Sequence, residues 1–327
     1  MTVTTLPRLG FLGVGWIGRN RMEALDREGL AEVAAVADPQ AEALAAAAED
    51  APTAERAATL EELLERDLDG VVIATPSALH AEQAIAALEQ GLAVFCQKPL
   101  ARNAEETRRV LAAAREADRL LGVDLSYRHV EAICATRKAI DAGQIGRLHS
   151  LDLAFHNAYG PGKAWFTDPE LAGGGCLIDL GTHLVDLALW LTGAEEIAVE
   201  TARTLSLHGH AVEDQASAEL ALGEVRARLA CSWFQPAGGE CAFECTAWGS
   251  EGAVSVRNVD GSFYDFRAEL WKGTAAETLV EPPDAWGGRA IAAWAERLAV
   301  DNRYDPAADQ LELLARTIDD VYAEAGR

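Results

Sequence analysis

Three side chains in this chain have the types and spacing for proton transfer. Asp179 and His183 stand four residues apart, so on a helix they project from one face and can reach one hydroxyl group. Lys98 lies in Gln97-Lys98-Pro99, just past a short apolar run, where the carboxyl edge of a parallel sheet would present it. Histidine titrates near neutral pH. With a carboxylate beside it and an ammonium from elsewhere, it suits acid–base work on an alcohol. Spacing alone equally allows a polar pair on a helix surface and a solvated lysine.

A second constellation binds rather than reacts. Gly13-Val14-Gly15-Trp16-Ile17-Gly18 fits GxGxxG, after the apolar run Leu9–Val14 and before a helical stretch. The first glycine permits a tight turn, the second lets a pyrophosphate approach the backbone, and the third lets helix and strand pack. The helix end then offers N–H donors to phosphates. Asp38 follows Gly18 by twenty positions, the distance at which an acid accepts from the adenosine ribose hydroxyls. It would repel a 2′-phosphate, and no Lys or Arg follows in Asp38-Pro39-Gln40. NAD(H) is therefore expected over NADP(H).

These residues need elements to place them. Strand-like and helix-like runs alternate up to Asp124, which predicts a Rossmann-type, doubly wound parallel sheet over residues 1–124. From Leu125 the pattern changes. A helix is expected over about Val130–Ala142 and another over Leu177–Leu191. Leu180, Leu184, Leu187 and Leu191 mark the core stripe of the second, with Asp179 and His183 beside it. Strands are expected at Leu148–His156, Glu196–Ser206, Gln215–Leu222, Val225–Phe234, Cys241–Trp248, Ala253–Val259 and Gly261–Leu270. Residues 125–327 thus read as an α/β domain with a large open, mainly antiparallel sheet. Ala290–Val300 and a last helix near 309–325 would close it, the last helix packing back on the first domain.

Composition narrows the partners. The chain has 327 residues, with 28 Lys and Arg against 52 Asp and Glu, a net charge of −24. That length suits two domains, and that charge disfavours nucleic acid and anionic membranes. No apolar run reads as a membrane span and no signal-peptide core follows Met1, so a cytoplasmic protein is expected. The six cysteines form no CxxC pair or zinc spacing. Buried free thiols and no metal are expected.

With the glycine loop, three segments resemble the glucose–fructose oxidoreductase/inositol dehydrogenase (Gfo/Idh/MocA) family. They are Ala74-Thr75-Pro76-Ser77-Ala78-Leu79-His80, Cys96-Gln97-Lys98-Pro99-Leu100, and the stretch from Gly173-Gly174-Gly175 through Asp179 and His183 to Asp186. The resemblance implies a substrate held between the open sheet and the nicotinamide. It implies catalytic roles for Lys98, Asp179 and His183. Cofactor contacts would come from Gly13, Gly15, Trp16, Ile17, Gly18, Asp38, Thr75, Pro76, His80, Gln97 and Lys98. The family's second motif usually reads Glu-Lys-Pro, so Gln97 replaces a glutamate placed near the nicotinamide ribose. Tyr127-Arg128 resembles the segment entering the second domain. Arg128, with His156, Tyr159 and Trp165, would join Lys98, Asp179 and His183 in binding substrate.

The reaction implied is reversible oxidation of a secondary alcohol on a sugar or cyclitol, by a homo-oligomer, dimer or tetramer. Two other readings keep the fold. One is a lyase or glycosidase that recycles its NAD internally. The other is an NAD(H)-binding sensor without catalysis.

Overall fold

A computed structural model describes residues 6–326. The chain divides into two compact units. One holds the residues up to Asp124 together with Gly287–Glu312, the other Leu125–Trp286 together with the residues from Leu313.

The first unit is built on six parallel strands: β1 (Arg8–Leu12), β2 (Glu32–Ala37), β3 (Glu55–Ala57), β4 (Gly70–Ile73), β5 (Ala93–Cys96) and β6 (Leu121–Val123). Their order is β3-β2-β1-β4-β5-β6. Strand order reverses on either side of β1, and ligands bind at such switch points, outside the carboxyl ends of the strands. Helices α1 (Trp16–Glu28), α2 (Ala41–Asp50), α3 (Leu60–Leu64), α4 (Ser77–Glu89) and α5 (Ala104–Ala117) connect the strands.

The second unit carries helices α6 (Glu131–Asp141), α7 (Pro169–Ala172) and α8 (Thr182–Thr192). Its sheet holds β7 (Leu148–Asn157), β8 (Ala198–Leu205), β9 (Gln215–Leu222), β10 (Val225–Ser232), β11 (Cys241–Gly249), β12 (Ala253–Asn258), β13 (Phe266–Lys272) and β14 (Ala275–Val280). The order is β14-β13-β12-β11-β7-β10-β9-β8. Neighbours run antiparallel except β7 and β10, which are parallel. Side chains alternate across the sheet. Leu151, Leu153, Phe155, Leu229, Cys231, Phe243 and Cys245 are buried on one face, against which α6 and α8 pack. Cys241 and Cys245 both point inward, and burial pushes each thiol up to about 12.

Two expectations are corrected here. The helix that returns to the first sheet is α9 (Arg289–Val300), and the segment grouped with the first unit ends at Glu312, within α10 (Gln310–Glu324). The cause is the apolar stripe of α9: Ile291, Trp294, Ala295 and Leu298 join the core around Leu9, Val72 and Phe95. The Trp294 and Phe95 rings lie 5.5 Å apart, and Gly70 and Gly122 leave the indole its space. Also, the helical run Pro169–Thr192 is long and apolar enough to cross a membrane, but 89% of its apolar window is buried inside the unit, as in a core helix.

A Cβ at Gly122 would lie 2.6 Å from Trp294 Cδ1 and 3.1 Å from the Phe95 ring. Gly122→Ala is therefore expected to lower stability by about 1–3 kcal/mol, the usual range for overpacking. Urea denaturation reads this, and combining it with Trp294→Leu should return part of the loss. An unchanged midpoint in Gly122→Ala would contradict the packing of α9.

Candidate active site

In the first unit the candidate residues line the carboxyl edge of the sheet. The glycine loop leaves β1 and enters α1. Gly13 has φ +85°, and a Cβ there would lie 2.7 Å from the Ala74 backbone; one at Gly18 would lie 2.1 Å from the Gly13 carbonyl oxygen. Neither position tolerates a side chain without moving the loop. Gly15 is the N-cap of α1, with no side-chain cap and no acid in the first turn. The first N–H groups of the helix therefore face neither a competing side-chain acceptor nor a repelling charge, which fits a bound pyrophosphate. Trp16 is exposed and Ile17 half-buried beside it.

Asp38 stands just past β2 and is buried. Its Oδ2 accepts from the Val14 N–H at 2.9 Å and its Oδ1 from the Gln40 N–H at 2.9 Å. The carboxylate braces the glycine loop, and with about four lone-pair sites it retains capacity for ribose hydroxyls.

Beyond β4, Thr75 donates its hydroxyl to Gln83 at 2.6 Å, and Pro76 caps α4. His80 differs from the cofactor contact expected of it. Its ring is 1% exposed, with Nδ1 at 2.8 Å from the Pro99 carbonyl and Nε2 at 2.8 Å from the Thr75 carbonyl. It ties the loop after β4 to the loop after β5 and has no ring nitrogen left for a ligand. Burial holds its pKa below the ordinary imidazole value.

Gln97 is corrected too. It is buried, and its amide donates to Asp124 Oδ2 at 2.5 Å rather than standing clear for a ribose. The same oxygen accepts from Arg21 Nε at 2.6 Å. Lys98, the next residue, is half-buried.

In the second unit Asp179 sits in a π-helical turn, Leu177–Gly181, that runs directly into α8 with His183. The expectation of one regular helix is therefore corrected. Glycine is required within this turn: a Cβ at Gly181 would meet Leu177 Cδ1 at 2.7 Å. π-turns inside helices recur at functional sites. Nor does α8 keep a polar flank. Residues from Thr182 to Leu189 are all buried, His183 at 6% exposure. Asp179 is half-buried and accepts from Trp233 Nε1 at 3.0 Å. The His183 ring lies tilted 4.7 Å from Tyr127 and 6.4 Å from Phe155. The structure thus places Asp179, half-buried, in the π-turn and His183, buried, in the first turn of α8, each with an aromatic neighbour.

The triple glycine before this run has a steric reason. Glu213, 1% exposed, accepts through Oε1 from the N–H groups of Gly175 and Leu177 and from the Tyr322 hydroxyl, at 2.8–3.0 Å. A Cβ on Gly174 would fall 2.0 Å from the Tyr322 oxygen, and one on Gly175 would fall 1.9 Å from the Glu213 carbonyl.

Arg128 departs from its expected substrate role. Its guanidinium makes a bidentate ion pair with Asp186, which is fully buried on α8 and needs a counter-charge. His156 is half-buried, with Nδ1 at 2.7 Å from the Ser232 hydroxyl. Tyr159 is exposed beside Phe263, and Trp165 stacks on Phe166 at 3.9 Å. Phe166 in turn meets Trp233 edge-on. Sequence reasoning missed Arg21, Asp124, Glu213, Trp233 and Tyr322. Nothing local marks them: Trp233 reaches Asp179 across 54 residues of sequence.

Comparison with known proteins gives the same division. Residues 7–125 match a model described as an oxidoreductase family with an NAD-binding Rossmann fold, and residues 133–255 match the GFO/IDH/MocA C-terminal domain. A 1,5-anhydro-D-fructose reductase from Ensifer adhaerens is 33% identical over 215 residues, 64% of this chain and 64% of its own length. The match thus spans under two thirds of that relative. The crystal structure of GenD2 from gentamicin A biosynthesis, in complex with NAD, is 25% identical, with TM-score 0.82 over 98% of this chain and 95% of its own. A 3-ketoreductase from Actinomadura kijaniata, crystallised with NADP and TDP-benzene, shares the fold at TM-score 0.86 and 24% identity, covering 98% of both chains.

The Arg128–Asp186 pair makes a prediction about stability. Burial already raises the Asp186 pKa above the ordinary carboxylate value, and Arg128 opposes that. Arg128→Met strands a buried charge, which typically costs about 3–5 kcal/mol. A carboxyl whose folded pKa is raised stabilises the fold only while protonated, below its unfolded value of about 4. The deficit of Arg128→Met should therefore be greatest at neutral pH and shrink as the pH falls through the raised pKa. Urea unfolding at several pH values reads this; a deficit independent of pH would contradict it.

Proposed function

The chain belongs to the GFO/IDH/MocA oxidoreductase family, and from that premise we propose that it interconverts a secondary alcohol and a ketone on a sugar or cyclitol, with NAD(H) as hydride carrier. The observation that carries this reading is the pairing, in one buried helical run, of a carboxylate held by Trp233 with a histidine packed on Tyr127. A histidine kept from bulk water beside a half-buried carboxylate suits acid–base work on a hydroxyl group.

When bound, the nicotinamide supplies the acceptor or donor of the hydride at the carbinol carbon. The residues do the rest. The N-terminus of α1 and the glycine loop hold the pyrophosphate. Asp38 receives the adenosine ribose. Asp179 accepts a hydrogen bond from the substrate and orients it. The hydroxyl proton passes to His183 or Lys98, and the remaining one of the two stabilises the oxygen. Trp165 and Phe166, which connect through ring contacts to Trp233, the partner of Asp179, offer apolar surface to a sugar ring.

Steady-state absorbance of NADH with a panel of cyclitols and aldoses tests the reading. Net NADH change with at least one of them is expected. Product formed without net NADH would replace it with an internally recycled cofactor, and NADH binding with no conversion across the panel would replace it with a sensor.

The choice of cofactor is tested separately. Wild type should bind NAD more tightly than NADP. Asp38→Ala should narrow the gap, because it removes a ribose acceptor and the charge that repels a 2′-phosphate. Since Asp38 also braces Val14 and Gln40, the variant should lose some affinity for ADP as well. A wild-type preference for NADP in a fluorescence titration would contradict the assignment.

A further inference from the structure

The residue before Lys98 belongs to a buried cluster that spans three elements of the first unit. Asp124 is the first residue past β6 and is 1% exposed. Its N–H donates to the Cys96 carbonyl at 2.9 Å. One of its oxygens, Oδ2, receives both Gln97 Nε2 and Arg21 Nε, at 2.5 Å and 2.6 Å. The other, Oδ1, is buried without a hydrogen-bond partner. Arg21 belongs to α1, the helix whose first turn faces the glycine loop, and is 6% exposed. Its Nη1 donates to Asn20 at 2.6 Å. Gln97 is the first residue past β5, and its N–H donates to the Ile73 carbonyl at 2.9 Å.

The charges in this cluster are one carboxylate and one guanidinium, with the neutral amides of Gln97 and Asn20 beside them. That balance restricts residue 97. A glutamate there would set a second carboxylate against Asp124 in a water-poor site with a single guanidinium. Two such carboxylates cannot both ionise cheaply. An acid at 124 therefore calls for an amide at 97, and an amide at 124 would permit an acid at 97. The departure from Glu-Lys-Pro is thus one half of a matched pair.

We propose that Asp124 is a positioning residue for Lys98. It holds the buried negative charge of this cluster and uses it to fix, through Gln97, the strand end that presents Lys98 and, through Arg21, the phosphate-facing helix α1. Residues 97 and 124 act as one charge unit. The proposal rests on the reading of Lys98 as a catalytic group, but the charge unit itself can be tested without turnover.

The experiment is a charge exchange: wild type, Gln97→Glu, Asp124→Asn, and the double variant. Three quantities are read: the melting temperature of the cofactor-free protein, NADH affinity by fluorescence with ADP as a control for the adenosine half, and kcat and KM on a substrate found in the panel. Each single variant is expected to melt lower than wild type and to lose roughly a hundredfold in kcat, the scale of a misplaced acid or base, with substrate KM changed far less. The double variant, again one acid and one amide, is expected to recover more than half of the melting loss and most of the kcat loss. ADP affinity should fall in the single variants far less than kcat, through the Arg21 anchor of α1, and recover in the double variant. If Asp124→Asn does not fold alone, Gln97→Glu against the double variant carries the same comparison.

Losses that simply add in the double variant would overturn the charge unit. Singles that melt lower yet keep wild-type kcat would overturn the positioning role and leave Asp124 as a brace of the fold. If wild type turns over nothing in the panel, the functional reading fails, while the melting cycle still decides whether residues 97 and 124 are one unit.

Discussion

A helix end can hold a phosphate only if its first N–H groups are left uncovered by the protein's own side chains. The first unit is arranged around that constraint. Gly15 caps α1 without a side-chain acceptor, and no acid enters the first turn. Gly13 and Gly18 let the loop lie against Ala74 and against itself, where any Cβ would collide. The Asp38 carboxylate beside the loop is turned onto Val14 and Gln40. The negative charge next to the loop is thereby fixed where it can accept from a ribose rather than oppose a phosphate.

The same economy governs the other buried acids. In a chain with net charge −24, a carboxylate taken out of water needs partners of its own. Asp124 has Arg21 and Gln97, Asp186 has Arg128, and Glu213 has two backbone N–H groups and a tyrosine. Each fixes a segment that carries a candidate site residue: the end of β5, helix α8, and the glycine run before Asp179. Asp179 is half-buried, whereas Asp186 farther along the same run is fully buried. The Asp179 Oδ2 accepts from Trp233 Nε1, and a carboxylate can accept several hydrogen bonds at once.

Much of this was legible in the sequence where one local rule acts alone. The glycine loop reads directly because turn, approach and packing each demand glycine. Strand β9 reads directly because its alternating Gln215–Leu222 has one face in the core. Strand β14 does not, because it is an edge strand, and Ala275 to Thr278 are exposed with no apolar alternation to find. The π-turn is invisible to a period of 3.6, which treats Leu177–Leu191 as one regular helix. The return of α9 to the first sheet depends on two glycines, Gly70 and Gly122, that only matter once Trp294 is beside them. Gln97 is the instructive case. As a motif position it reads as a cofactor contact with its charge missing, but the reason for the amide lies in Asp124, 27 residues on.

The proposed function requires Lys98, Asp179 and His183 to serve one proton on one hydroxyl. Single-turnover hydride transfer tests it most directly, measured for Lys98→Ala, His183→Ala and the double variant with cofactor saturating. The account predicts that each single variant slows transfer by roughly a hundredfold or more and that the double is much less impaired than the product of the two losses, because groups acting on the same proton are not additive. Near-wild-type transfer in His183→Ala, or losses that multiply in the double variant, would contradict it.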